Sequence, residues 1–292
     1  MREFAEFVMR SRFHAMALAG FFGALSLSLL PLAFLSAGIV GLVALRRGWR
    51  DGLFVSVGAS ILVAAGWFLV QSRPGLAFPV VLALWLLVLL SAEALRRSES
   101  QGIALMIVAS AGALFVIIMH ALVGDVVAFW EAWLRRAVTG VPGATVQGFE
   151  RDGTLRLMNG LIALLFGTSA MFSLLIARWW QSLLYHPGGF APEFCRLRLP
   201  RMVLPGVVAL LLVSGYFSQG LLVDLFLICV MMYFFVGLAV IHGVVARRRV
   251  PWGWAIPPYI ALAFLPHYAL VGMAFLGALD SFFDFRGRAA RP

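Results

Sequence analysis

The chain reads as all-α: a polytopic transmembrane helical bundle of about 8–10 spans, including two short Pro-broken hairpins, plus an interfacial amphipathic helix. Three observations predict this. First, 62% of the 292 residues are apolar and only 12% are charged, against roughly half and a quarter in an average soluble domain. That is too little polar surface for an ordinary soluble protein. Second, residues 102–124 and 225–241 contain no Asp, Glu or Arg, and about 20 apolar residues of helix cross a hydrocarbon core of roughly 30 Å. Such continuous runs satisfy their backbone as helices, whereas barrel strands alternate. Third, all 23 basic residues are Arg, and they fall between the apolar runs, as topogenic charge does.

The elements are taken in chain order. Residues 13–30 and 32–45 are two apolar runs separated by Pro31. Each is short for a crossing, and one 30-residue helix would be about 45 Å long, so a hairpin is expected. The preceding Arg2, Arg10 and Arg12 are mixed with Glu3 and Glu6, and the apolar stretch after them runs on past Pro31 to Leu45. Neither feature suits a cleaved signal peptide. Runs 52–70, 77–95 and 102–123 read as three spans. Residues 125–155 form an outer connection whose first part, 126–138, has an apolar face of Val126, Val127, Trp130, Trp133, Leu134 and Val138. Glu131, Arg135 and Arg136 lie opposite, the pattern of an amphipathic helix at the interface. The rest of that connection is turn-rich. After run 156–177, residues 178–201 make a cytoplasmic loop with interfacial aromatics Trp179, Trp180 and Tyr185. Runs 202–217, 221–246, 254–265 and 267–283 complete the chain, with Pro266 breaking the last two as Pro31 breaks the first two. Residues 1–292 are expected to form a single integral membrane domain.

Charge orients this chain. With two hairpins and ten crossings, 18 Arg face the cytoplasm, and only Arg73, Arg135, Arg136, Arg151 and Arg156 face out. Making either broken pair a single crossing moves three terminal Arg to the wrong side. The expected location is the bacterial inner membrane, multi-pass, with both termini cytoplasmic. The net charge of +10 is scattered rather than gathered on one face, so nucleic acid is not an expected partner.

The absence of Lys removes a Walker phosphate loop and Schiff-base chemistry, so ATP-driven work would belong to another chain. Cys195 and Cys229 read as free thiols. The five His are dispersed, without ligand spacing, so no metal and no cofactor are expected. No nucleophile–base motif is present; no catalytic residue is assigned, and an enzyme is not expected.

Polar groups inside spans are costly and are often functional. The candidate substrate-binding residues are His120, Asn159, Gln219, Asp224 and His267, all near the outer ends of spans. They would converge on an outward pocket, or else be solvated at the interface with His120 and Asn159 as interhelical hydrogen bonds. Asp280 and Asp284 share a helix face with Gly277, and Arg286 follows as a neutralising partner; anchoring, ion coupling and catalysis are the readings of that pair. Ala15, Ala19 and Gly23 recur every four residues, which lets a helix approach closely, either within the monomer or onto a partner helix.

Three stretches together carry a family resemblance. They are ARWWQSLLYHPGGF (177–190), with Arg178, Trp179 and Trp180, the span ending GLAVIH (237–242), and the terminus LGALDSFFDFR (276–286), with Gly277, Asp280, Asp284 and Arg286. The chain resembles the YybS-like family of bacterial polytopic membrane proteins, which is distantly similar to the substrate-binding subunits of energy-coupling-factor transporters. The resemblance implies a solute pocket open to the outside and a coupling subunit docked on small residues of the first span. The ten apolar runs depart from the six-span pattern of those subunits. The leading functional expectation is a transport component that binds a small solute from the outer side. The alternatives are a non-enzymatic membrane scaffold or assembly factor with a membrane-protein partner, and a lipid-handling protein. The lipid bilayer is a partner in each.

Overall fold

The computed structural model describes residues 1–70, 77–138, 146–217, 220–248 and 251–288. Each of the ten apolar runs contains a helix, the first of them ending at Leu25, and no strand occurs among the described residues. In chain order the helices are α1 (Arg2–Met9), α2 (Arg12–Leu25), α3 (Leu32–Arg47), α4 (Trp49–Val70), α5 (Ala77–Ser98), α6 (Gln101–Val123), α7 (Val126–Val138), α8 (Val146–Arg151) and α9 (Thr154–Tyr185). They continue with α10 (Phe190–Cys195), α11 (Val203–Phe217), α12 (Gly220–Arg248), α13 (Ile256–Phe264), α14 (Pro266–Phe283) and α15 (Phe285–Arg288). Five of them, α4, α5, α6, α9 and α12, contain stretches long and apolar enough to cross a membrane alone. The chain packs as two compact units, Met1–Val108 with Thr168–Leu197, and Ala109–Gly167 with Arg198–Pro292.

The first unit is built around α3. Its Ile39, Val40, Leu42 and Ala44 are fully buried because α2, α4 and α5 all pack against it. Ser11 caps α2 by accepting from the His14 amide. The α2 glycines and alanines then seat against α4: Gly20 lies against Leu62 and Ala59, Ala24 against Gly66, and Met16 against Gly58. These pairs advance together along both helices, so α2 and α4 run parallel. The intervening α3 must therefore return, and the break at Pro31 is a hairpin, as the sequence predicts. Ser36 on α3 stitches this layer: its hydroxyl donates to the Ala19 carbonyl at 2.7 Å and accepts from the Trp85 indole at 3.0 Å.

In the second unit α12 and α14 make the tightest crossing. Gly237 faces the Met273 carbonyl, and Gly277 faces the Tyr233 carbonyl and the Gly237 amide, with no room for a Cβ on either. Beyond the crossing, the Arg247 guanidinium reaches the Arg286 carbonyl. An antiparallel pair would hold those residues more than about 20 Å apart by helical rise alone, so α14 runs parallel to α12. Residues 251–265, which contain α13, lie on the return path between them. The second proline break, at Leu265–Pro266, is thus also a reversal.

Two segments differ from the sequence reading. The helix expected over 156–177 begins at Thr154 and continues to Tyr185, so the Trp-rich start of the 178–201 connection is helix rather than loop. An apolar run ends where charge begins, whereas a helix ends where its backbone stops being satisfied; Arg178 does not break it. The amphipathic segment does form α7 over 126–138. Its Val126, Trp130 and Leu134 are buried, the first two in a cluster with Leu155, Phe115, Met119 and Met158. Most of its apolar face therefore covers protein, while Val127 and Phe129 stay exposed.

Candidate functional site

Asp224 is the centre of the strongest polar constellation, and every member belongs to the second unit. It sits one turn into α12 and is 2% exposed. Three groups from two other helices converge on it. His120, in the last turn of α6, places Nε2 at 2.8 Å from Oδ2. Asn159, in the second turn of α9, donates its side-chain amide to the same Oδ2 at 2.8 Å. The backbone amide of Gly160 donates to Oδ1 at 3.0 Å. A charge in a span is tolerated when its lone pairs are filled in this way.

The glycine is required by the approach. A Cβ on residue 160 would lie 2.7 Å from both Cα and Oδ1 of Asp224 and 2.8 Å from Leu227. Only glycine brings the α9 backbone close enough for its own N–H to serve the carboxylate. Above this pair, the Trp130 indole of α7 donates to Oδ1 of Asn159 at 3.3 Å. Asn159 is itself 2% exposed, while the His120 side chain retains 22% exposure. The site is thus a buried carboxylate with one partly open partner.

Of the five expected binding residues, His120, Asn159 and Asp224 meet. His267 is exposed, with its ring 4.6 Å from Tyr268, and no hydrogen bond joins it to Asp224 among the described residues. Gln219 lies outside the described residues. Trp130 and Gly160 are members that the sequence reading misses. Trp130 is legible there only as part of an apolar face. The one local signal for Gly160 is an Asn-Gly pair inside an apolar run.

The terminal motif forms a second constellation in the same unit. Asp280 and Arg286 make a buried ion pair: Nη2 and Nε of Arg286 stand 2.7 and 3.1 Å from Oδ2, and Arg286 is 1% exposed. Asp284 turns the chain with φ +46°, accepts from the Gly287 amide at 3.1 Å and pairs with Arg198. Of the two carboxylates for which Arg286 is the expected neutralising partner, Asp280 takes it and Asp284 pairs with Arg198. Burial pushes the Asp284 carboxyl up, but the Gly287 amide and Arg198 together hold it below its ordinary value. This arrangement clasps α15 onto α12 through the Arg247 contact with the Arg286 carbonyl.

In the first unit Arg178 binds Glu193 through two nitrogens, one at 3.1 Å, and reaches Gln181 at 3.1 Å. Gln101 joins Glu193 at 3.0 Å. Trp180 is buried against Phe4, with ring centroids 5.3 Å apart; Trp179 is half-buried. These residues tie α6, α9 and α10 together. Ala15, Ala19 and Gly23, the candidate docking stripe, are buried against the chain's own helices, with Gly23 facing Val63, Trp85 and Ser36. As folded, that face is occupied from within and is not an outward docking surface. Among the described residues no group of three His, Cys, Asp or Glu could hold a metal ion.

No curated protein and no solved structure matches the chain. Residues 144–281 match a family model described as "Predicted membrane protein (DUF2232)". That segment holds Asn159, Gly160, Asp224, Gly277 and Asp280, while His120 and Trp130 precede it. The five long apolar helices and this match agree: the chain is a polytopic helical membrane protein, similar over 144–281 to a family of predicted membrane proteins.

Proposed function

We propose that this protein is a membrane transport component that binds a small solute at the Asp224 site, entering from the side on which His120 is exposed. The observation that carries the reading is a carboxylate buried inside a span and held by groups from two other helices and, through Asn159, by α7. Such placement is expensive, and a purely structural junction of apolar helices is made more cheaply by small residues, as at Gly237 and Gly277. Few convergent polar groups in apolar surroundings are also what small-molecule sites present. The Arg distribution supports an inner membrane with both termini cytoplasmic, which puts the Asp224 site near the outer face. The YybS-like resemblance, and through it the likeness to energy-coupling-factor substrate-binding subunits, belongs to the same reading. The scaffold alternative draws on the Arg-rich cytoplasmic loops and on small-residue helix faces, and of these the α2 stripe is filled internally.

The direct test is a thermal-shift screen of vitamin-like solutes on the purified chain, followed by uptake into cells or vesicles. At least one solute is expected to stabilise the protein, and Asp224→Asn is expected to reduce its uptake at least tenfold. A screen without any stabilising solute, together with uptake indifferent to Asp224→Asn and Asn159→Leu, would remove the proposal.

A further inference from the structure

We infer that the Asp224 centre is a proton-binding site, whose loaded form is a His120 imidazolium paired with the Asp224 carboxylate and whose proton resides on Nδ1 of His120. The inference deepens the transport reading and rests on it only for the use of the proton, as the coupling ion.

Two groups at the centre have no choice of role. An indole N–H can only donate. Because Trp130 donates to Oδ1 of Asn159, the amide of Asn159 is fixed with its NH2 toward Asp224, where it donates to Oδ2. The Gly160 N–H also can only donate, and it does so to Oδ1. Both carboxylate oxygens are therefore acceptors already. The remaining contact, Nε2 of His120 on Oδ2, is completed by donation from the ring. That fixes the neutral imidazole as the Nε2–H tautomer and leaves its lone pair on Nδ1. His120 also keeps measurable exposure, at 22% of its side chain, against 2% for Asp224.

The same orientation chooses among cations. A sodium, magnesium or calcium ion needs several oxygen lone pairs turned toward it. Around Asp224 the neighbours turn N–H groups inward, and the side-chain oxygen of Asn159, Oδ1, is taken by Trp130. A proton needs only the Nδ1 lone pair. In the step itself, a proton from solvent forms the Nδ1–H bond and no bond in the protein breaks. The net charge of the pair changes from −1 to 0. Within a span this difference alters the cost of moving or uncovering the site.

The other ionisable groups named on the surrounding elements are exposed or engaged locally. On α7, Glu131 pairs with Arg135, and Arg136 is exposed. Asp125 caps α7 through the Ala128 amide. Arg156 on α9, Tyr216 on α11 and His267 on α14 are exposed. Among the described residues His120 is the sole ion-pair partner of Asp224.

The test is ring nitrogen NMR of the full-length chain, 15N-labelled at histidine in nanodiscs. It would be scanned over about pH 5–8, where imidazole side chains exchange their proton, with His120→Gln identifying the resonance. The expected result is an Nε2–H ring at the alkaline end that gains a proton on Nδ1 at the acid end. Asp224→Asn should remove the Nε2–H preference at the alkaline end, because the carboxylate acceptor for that proton is gone, which also serves if His120→Gln does not fold. An Nδ1–H tautomer at the alkaline end, a ring that does not change, or a tautomer indifferent to Asp224→Asn would overturn the proton site. A titrating His120 in a protein that no solute stabilises, and whose uptake is indifferent to Asp224→Asn and Asn159→Leu, would defeat the transport reading and leave the proton site standing.

Discussion

Single residues set the geometry of the Asp224 centre, and Gly160 is the clearest. One methyl group at that position meets α12 backbone at 2.7 Å, so the helices must part or the hydrogen bond must break. Gly160→Ala is expected to destabilise the protein by about 1–3 kcal/mol, the usual scale of overpacking. Gly206→Ala is a matched control, because nothing lies within 4 Å of a Cβ there. Denaturation in detergent, followed by helical circular dichroism, distinguishes them. Trp130 makes a second test at this scale. Trp130→Phe keeps an aromatic ring but removes the donor, leaving Oδ1 of Asn159 buried and unsatisfied, at a cost of about 1–3 kcal/mol. An unchanged midpoint in that variant would show that Asn159 is not oriented by the indole.

At the scale of elements, the two proline breaks have the same consequence. Each sits in a return path between parallel helices, α2 with α4 and α12 with α14, and each parallel pair is closed by glycines. The second pair carries the clasp of Asp280 and Arg286. Removing one partner of a buried pair strands the other charge, at about 3–5 kcal/mol. Asp280→Leu or Arg286→Met should each fall in that range, while the double replacement should recover most of the loss. A double-mutant cycle in which the single losses simply add would show that the pair is not coupled. The neighbouring Asp284 gives this clasp a pH dependence. Its carboxyl lies below the ordinary value, so its stabilisation is present above about pH 4, the unfolded reference, and is lost as pH falls through the lowered value. Protection of the Gly287 amide from hydrogen exchange, taken relative to the intrinsic rate at each pH, should therefore fall on acidification, and in Asp284→Asn it should lack that dependence.

At the scale of the molecule, the Arg distribution is the main guide to orientation. A reporter fused after residue 292 should be cytoplasmic. Impermeant thiol reagents should reach Cys195 from the cytoplasmic face and not from outside. Labelling of Cys195 in intact cells would invert the assigned topology, and with it the side from which His120 is open.

What the sequence determined by itself was the class and the helices. An apolar run is a local property, and in lipid its backbone has no alternative to the helix; hence all ten runs recur as helices, and α7 appears over the segment whose two faces differ. The prolines marked both reversals because a residue without an N–H cannot continue a helix from the preceding turn but can begin one, as Pro31 and Pro266 do at the starts of α3 and α14. His120, Asn159 and Asp224 were already candidates, since a polar side chain inside an apolar run is visible without a fold. Only the tertiary structure decided that these three meet, that Trp130 and Gly160 join them, that His267 does not, and that Ala15, Ala19 and Gly23 are spent inside the chain. The reason is distance along the chain. The bonds to Asp224 close over 64, 65 and 104 residues, and no local pattern encodes which faces of separate helices will be turned together.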